Sequence, residues 1–127
     1  MRIEHLAIWA SDLEGLRNFY MKYFGMKSNE KYTNEKKGFC SYFLSFEGES
    51  TRLELMSQEG KADSMPNKMK GLAHFALSVG SKQKVLDLTE RLRNDGYEIL
   101  SEPRHTGDGH FESAVADAEG NYVEITC

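Results

Sequence analysis

The stretch at residues 71–79, GLAHFALSV, decides the fold because it repeats a pattern that opens the chain. Its apolar and β-compatible residues lie between polar segments and predict a buried strand with His74 in its middle. Residues 3–10, IEHLAIWA, carry the same pattern around His5. The two strands align as HLAI over HFAL, and a helical segment follows each of them. The chain is therefore predicted to contain two copies of one unit.

Each copy also contains a later strand with a glutamate between two apolar residues. Glu54 lies in RLELM and Glu124 lies in YVEIT. The spacing from histidine to glutamate is nearly equal, 49 positions (54 − 5) against 50 positions (124 − 74). The elements of each copy read β-α-β-β-β, which predicts an α+β fold of two tandem βαβββ modules that form a curved mixed sheet around a metal site. We expect a single domain, with module one at residues 1–57, a polar linker at 58–70 and module two at 71–127.

The repeated histidine and glutamate predict one site for a divalent metal ion. If the four strands curl around one space, His5, Glu54, His74 and Glu124 converge. Burying an unpaired carboxylate costs several kcal/mol, and a divalent cation removes that cost. Two nitrogen and two oxygen ligands suit Zn²⁺, Ni²⁺, Co²⁺ or Fe²⁺. Taken singly, each histidine is more typical of a hydrogen-bonded core residue and each glutamate of a solvent-facing one, but their recurrence at matching places favours the metal site.

Residues 102–110, EPRHTGDGH, predict a glycine-rich loop with two further histidines. One interpretation is a flexible lid in which Arg104, His105 and His110 contact a substrate. The other is an exposed loop whose histidines have no role, and the sequence favours neither. Trp9 lies on the predicted histidine-bearing side of the first strand, where it either lines a pocket or packs in the core.

Composition excludes several classes of protein. The 127 residues suffice for one compact domain with a core of its own. The formal net charge is −4 and no basic cluster occurs, which argues against a nucleic-acid partner. No apolar run reaches the roughly 20 residues of a membrane helix, and the N-terminus lacks a signal-peptide layout. Two cysteines without metal-site spacing are typical of a cytoplasmic protein with free thiols.

These motifs together resemble the vicinal oxygen chelate superfamily, and within it the glyoxalase I-like proteins (lactoylglutathione lyase and related enzymes). The resemblance covers essentially the whole chain. It rests on EHLAIWASDLEGLRNFYMKYFGM, RLELM, GLAHFALSV and SEPRHTGDGHFESAVADAEGNYVEIT. It implies a metal held by His5, Glu54, His74 and Glu124, with nickel or zinc expected first and cobalt, manganese or iron also compatible. It also implies a homodimer with each site at the subunit interface.

The resemblance further implies a small-molecule substrate and a reaction. Glyoxalase I converts the hemithioacetal of methylglyoxal and glutathione to a lactoyl thioester, and the metal stabilises an enediolate as a Lewis acid. Carried over, Glu124 is the base and Glu54 the second catalytic carboxylate. Glutathione-using relatives commonly have an arginine four residues after the first histidine, where this chain has Trp9. Arg2, Arg52 and Arg104 are candidates to replace it.

Other members of the superfamily remain as alternatives. Fosfomycin-resistance thiol transferases and hydrolases use two histidines and one glutamate, and a related epimerase usually has glutamine where this chain has Glu54. Ring-cleaving dioxygenases use a His-His-Glu iron site and are generally longer. Non-catalytic resistance proteins that bind small molecules generally lack the ligand set. The four ligand-type residues of this chain favour the glyoxalase I-like interpretation.

Overall fold

The computed structural model describes residues 3–60, 72, 74–107 and 109–127. The chain divides into two compact units, Met1–Asn67 and Lys68–Cys127. Most of the predicted linker, residues 61–70, lies outside the described residues. Cys40 and Cys127 are free thiols, as predicted. No helix in the described part of the chain is long and apolar enough to span a bilayer.

The first unit is a five-stranded mixed sheet with one α-helix. Its elements are β1 (His5–Trp9), α1 (Leu13–Phe24), β2 (Lys27–Ser28), β3 (Tyr32–Asn34), a short 3-10 helix (Glu35–Lys37), β4 (Phe39–Ser45) and β5 (Arg52–Gln58). The strand order is β1-β5-β4-β2, and β3 also pairs with β4. The β1–β5 pairing is parallel and the other pairings are antiparallel.

The second unit repeats this arrangement with four strands. Its elements are β6 (Phe75–Ser78), α2 (Lys82–Asn94), β7 (Ile99–His105), β8 (Phe111–Ala116) and β9 (Tyr122–Thr126). The order is β6-β9-β8-β7, again with a parallel pairing between the first and last strands. The predicted α+β class and the tandem modules are confirmed, with one sheet in each unit. The second unit has the predicted βαβββ order, whereas in the first unit the extended segment after α1 forms two short strands, β2 and β3. The closure of these sheets around a metal ion stays a prediction.

Local signals fix the start of both helices and the end of α1. The Asp12 carboxylate accepts a hydrogen bond from the Gly15 backbone N–H at 2.9 Å, and the Ser81 hydroxyl accepts one from Lys84. Gly25 ends α1 in the left-handed conformation, with φ of 69°, which costs other residues a steric penalty. Each helix therefore starts at a fixed distance from the strand before it.

Alternation gives each sheet a helix-covered face and a second face. In the first unit α1 packs against β5, and in the second unit α2 packs against β8 and β9. Leu53 and Leu55 on β5 and Val123 and Ile125 on β9 are buried. The other buried apolar side chains include Leu16, Phe19, Tyr20, Leu44, Val85, Leu92 and Val115. The residues that alternate with them, among them Glu54 and Glu124, lie on the second face.

Two sequence predictions differ from the structure. The histidine-bearing strands are partly exposed rather than buried, and β6 begins only at Phe75. The predicted loop at 102–110 is strand up to His105. The prediction rested on the glycines, but Gly107 and Gly109 lie beyond the end of β7, and Pro103 lies within the strand although proline has no N–H for a sheet ladder. The proline is tolerated here because β7 ends the strand order and its pairing with β8 is irregular between Ser101 and Arg104.

We expect Leu55→Ala to lower the free energy of unfolding by about 2–5 kcal/mol, because Leu55 is fully buried beneath α1 and truncation leaves a cavity. Chemical denaturation monitored by circular dichroism measures this loss. Leu100→Ala is the control, since Leu100 is exposed on β7, and its effect should stay within about 0.5 kcal/mol. Equal losses in the two variants would contradict the assignment of the core.

Candidate functional site

The parallel strand pairing brings a histidine and a glutamate together in each unit. Ala7 lies beside Glu54 in the β1–β5 register, and Ala76 lies beside Glu124 in the β6–β9 register. The histidine precedes the alanine by two residues in both units, so it lies on the same side of the sheet. We call this side the histidine face. The alanine methyl group leaves room for the glutamate beside it to reach towards the imidazole.

The two pairs have similar distances and exposure. His5 Nε2 lies 3.7 Å from Glu54 Oε2, and His74 Nε2 lies 3.3 Å from Glu124 Oε2. The imidazoles are 41% and 44% exposed, whereas the carboxylates are 16% and 18% exposed. Two donors at about 2.1 Å from one ion are about 3.0 Å apart across a right angle and about 3.4 Å apart across a tetrahedral angle. Each pair is therefore close to the spacing of two adjacent ligands.

Each unit by itself supplies two such donors. Within either unit, the described residues contain no group of three or more histidine, cysteine, aspartate or glutamate side chains arranged to hold a metal. A complete site of four ligands thus requires both pairs. That convergence, predicted from the sequence, remains a prediction.

The His5 imidazole is held from the side opposite Glu54. Its Nδ1 lies 2.5 Å from Glu4 Oε2, and Arg52 donates from Nε and Nη2 to Glu4 Oε1 at 3.0 Å and 2.6 Å. The hydrogen bonds from His5 and then from Arg52 hold the pKa of Glu4 below its usual range. Arg52 occupies one oxygen of Glu4, so the other oxygen is directed at Nδ1 as an acceptor for an Nδ1–H, and Nε2 faces Glu54.

Different side chains support the two pairs. Phe43 lies beside Glu54 in the β4–β5 register, and its ring meets the His5 ring edge-on at 5.6 Å. The Arg52 guanidinium lies 4.0 Å from the centre of the same ring. In the second unit Ala114 takes the position beside Glu124. The His74 ring lies 5.6 Å from Tyr122.

An aromatic group lies farther along the histidine face of the first unit. Trp9 is the fourth residue after His5 and points to the same side of β1. Its ring meets Phe39 edge-on at 6.3 Å, and Tyr32 lies 6.2 Å from Phe39. Trp9 and Tyr32 are 40% and 54% exposed. We call Trp9, Tyr32 and Phe39 the aromatic patch.

The structure separates the three residues predicted in the 102–110 segment. Arg104 pairs with Glu112 in the β7–β8 register, and its guanidinium lies 3.5 Å from the Glu112 carboxylate and 2.8 Å from Ser101 Oγ. His105 pairs with Phe111 on the other side of the sheet, with ring centres 4.9 Å apart. The His110 backbone closes a turn with Thr106.

Of these residues, only Arg104 therefore lies on the histidine face. Sequence reasoning missed its partner, Glu112. The signal was present, because Glu112 is an acidic residue within the strand FESAVA.

Thr126 adds a polar atom to the same face. It pairs with Glu112 and follows Glu124 by two residues. Its Oγ1 is buried and has no hydrogen-bond partner among the described residues. Thr89 is the opposite case, because its hydroxyl donates to the Val85 carbonyl and contacts Ser113 Oγ, both at 2.7 Å.

We expect Thr126→Val to change the free energy of unfolding by less than about 0.5 kcal/mol or to raise it, since no hydrogen bond is lost. Thr89→Val should lower it by about 1–3 kcal/mol, because two buried groups lose their partner. Denaturant titration of both variants makes the comparison. Equal destabilisation would show that Thr126 Oγ1 has a partner of its own in solution.

Comparison with known proteins places this geometry in a family. The model of the glyoxalase/bleomycin resistance protein/dioxygenase superfamily matches residues 2–125. An uncharacterized protein of Bacillus subtilis (strain 168), YqjT, is 29% identical over 133 residues, covering 97% of this chain and 96% of that protein.

Comparison with solved structures supports the same family assignment. The trypanothione-dependent glyoxalase I of Leishmania major is 26% identical, with a TM-score of 0.79 over 98% of this chain and 85% of that one. Glyoxalase I of Zea mays is 25% identical, with a TM-score of 0.78 over 98% of this chain and 44% of that longer one. The chain therefore belongs to the glyoxalase/bleomycin resistance protein/dioxygenase superfamily, as its sequence motifs predict.

Proposed function

We propose that the protein is a metal-dependent glyoxalase I-like enzyme of the lactoylglutathione lyase class. Its substrate is the hemithioacetal of methylglyoxal and a thiol, and its product is the lactoyl thioester. The observation that carries the proposal is the repeated His–Glu pair, in equal registers and at 3.7 Å and 3.3 Å. Membership of the superfamily and the likeness to two glyoxalase I structures support it.

The donor set fits a divalent metal ion. His5, Glu54, His74 and Glu124 would hold it, and imidazole and carboxylate donors suit nickel or zinc first and cobalt, manganese or iron next. When bound, the ion supplies Lewis-acid stabilisation of the negative charge that develops on the substrate oxygens. We further propose a cytoplasmic homodimer in which each site lies at the interface and draws its two pairs from different subunits.

The surroundings of the two glutamates favour Glu124 as the base. Glu124 lies between Ala76 and Ala114, whereas Glu54 has Phe43 on one side. Two methyl groups leave more space for a substrate carbon than a phenyl ring does. Both carboxylates are largely shielded from water, so exposure does not distinguish them and the choice of Glu124 rests on the space beside it.

The proposed reaction moves protons and consumes no oxidant or reductant. Glu124 removes the proton from the carbon that carries the sulfur and the hydroxyl group. The proton is returned to the neighbouring carbon, the former carbonyl, while the hydroxyl proton moves to the oxygen of that carbon. The product is an α-hydroxy thioester with the atoms of the substrate. Glu54 remains the second carboxylate beside the reacting oxygens.

The aromatic patch supports a second candidate that differs only in the thiol. Trp9 occupies the position at which glutathione-using relatives commonly have an arginine, and Tyr32 and Phe39 extend an apolar surface from it. Such a surface fits a thiol with an apolar or aromatic group better than the carboxylates of glutathione. Comparing hemithioacetals of glutathione and of apolar thiols distinguishes the two candidates.

We expect metal-loaded protein to form thioester from methylglyoxal and at least one thiol, measured by ultraviolet absorbance. Glu124→Gln should lower kcat by about 10²–10⁴-fold, because the amide cannot accept the proton. Glu47→Gln is the control, since Glu47 is an exposed carboxylate that pairs with Lys27, and kcat should stay close to that of wild type. No rate above that of metal-free protein with any thiol would exclude this reaction.

Metal content separates an enzyme from a non-catalytic binding protein. We expect about one divalent ion per chain at saturating supply, measured by mass spectrometry of the dialysed protein. His74→Ala should lower that content because it removes one of four ligands. Less than about 0.1 ion per chain in the wild-type protein would favour a binding protein instead.

A further inference from the structure

We infer that Glu4 is a positioning residue that, itself held by Arg52, fixes the His5 imidazole so that Nε2 is presented to the metal. The inference rests on the proposed function, because it assigns His5 as a ligand. It adds Glu4 and Arg52 to the residues of the first unit that support metal binding, although neither is one of the four predicted ligands. Their role is to set which nitrogen of His5 carries the hydrogen.

Arg52, Glu4, His5 and Glu54 form a continuous chain of contacts. Arg52 donates two hydrogen bonds to one oxygen of Glu4, and the other oxygen meets His5 Nδ1. The far nitrogen of the ring, Nε2, lies 3.7 Å from Glu54. Metal-bound histidines generally donate their second ring N–H to a carboxylate, carbonyl or water, which orients the ring and makes the ligating nitrogen more basic.

The second copy of the repeat does not contain the equivalent of the Glu4–Arg52 contact. Residue 73, which precedes His74, is alanine in the sequence, so the second copy lacks a carboxylate at this position. Tyr122 takes the place of Arg52 in the second sheet and meets His74 through its ring. The copies share the His–Glu pair but differ in what holds the histidine.

The side-chain contact between Glu4 and Arg52 is not needed to set the register of the two strands. The backbone N–H of Arg52 already donates to the Glu4 carbonyl at 2.9 Å, and every residue of β1 pairs with a residue of β5. Both side chains of the ion pair are partly exposed, and exposed ion pairs contribute little to stability. Replacing Glu4 should therefore leave the fold intact and act on His5.

The test compares Glu4→Leu, Glu4→Gln and Arg52→Met with wild type. Leucine removes the acceptor, glutamine keeps a carbonyl oxygen for Nδ1–H without the charge, and methionine keeps an apolar stem over Phe43 but removes the guanidinium. Glu47→Gln is the matched control, because Glu47 is an exposed carboxylate of the same unit that pairs with Lys27. Thermal unfolding checks that each variant is folded.

Two measurements are made on each variant. Competition with a chromophoric chelator gives the dissociation constant for Zn²⁺ and for Ni²⁺. Nitrogen-15 chemical shifts of the ring nitrogens in the metal-free protein report which nitrogen of His5 is protonated, and His74 serves as the internal reference.

We expect Glu4→Leu to weaken metal binding by about 10–100-fold and to shift the His5 ring towards the Nε2–H form, with His74 unchanged. Glu4→Gln should keep the Nδ1–H form and lose less affinity, Arg52→Met should lie between the two, and Glu47→Gln should match wild type. Wild-type affinity together with an unchanged His5 ring in Glu4→Leu would overturn the inference but leave the proposed function standing. Failure of the wild-type protein to bind either ion would overturn both.

Discussion

The site depends on the parallel pairing of the first and last strands within each unit. In β1–β5 and in β6–β9 this pairing sets a glutamate beside an alanine, two residues along from a histidine. A shift of one residue would turn the glutamate to the helix-covered face, because side chains alternate along a strand. The intervening helix makes the pairing possible, since two parallel strands need a long crossover connection.

The two faces of each sheet have different roles. Leu53, Leu55, Val123 and Ile125 are buried against the helices and supply apolar packing. The residues that alternate with them along the two strands include Glu54 and Glu124, which carry charge and lie outside that apolar core. A glutamate can therefore occupy the middle of an apolar strand without the cost of full burial. This separation explains why an acidic residue recurs at an equivalent place in both copies without disturbing the fold.

Sequence reasoning predicted the element order and the repeat because each depends on local chemistry or spacing. Asp12, Gly25 and Ser81 act through bonds or dihedral angles within a few residues. It placed the histidines in buried strands because it read apolar composition without knowing which face a helix covers. It did not reach the contact between Glu4 and His5, since adjacent residues in a strand point to opposite sides and Glu4 lies just before β1. The predicted convergence of the two pairs would depend on how the units associate, which no local pattern encodes.

Pro103 has a further consequence for behaviour at high concentration. The last strand of a sheet offers a row of amide hydrogens that a strand from another molecule can use for growth into a fibre. Pro103 supplies no N–H for pairing, and the register of β7 is irregular around it, which makes this strand less regular than one with an unbroken ladder. The exposed border of the second sheet is thereby a poor template for intermolecular β-addition, a protection against aggregation that is built into the same segment that carries Arg104.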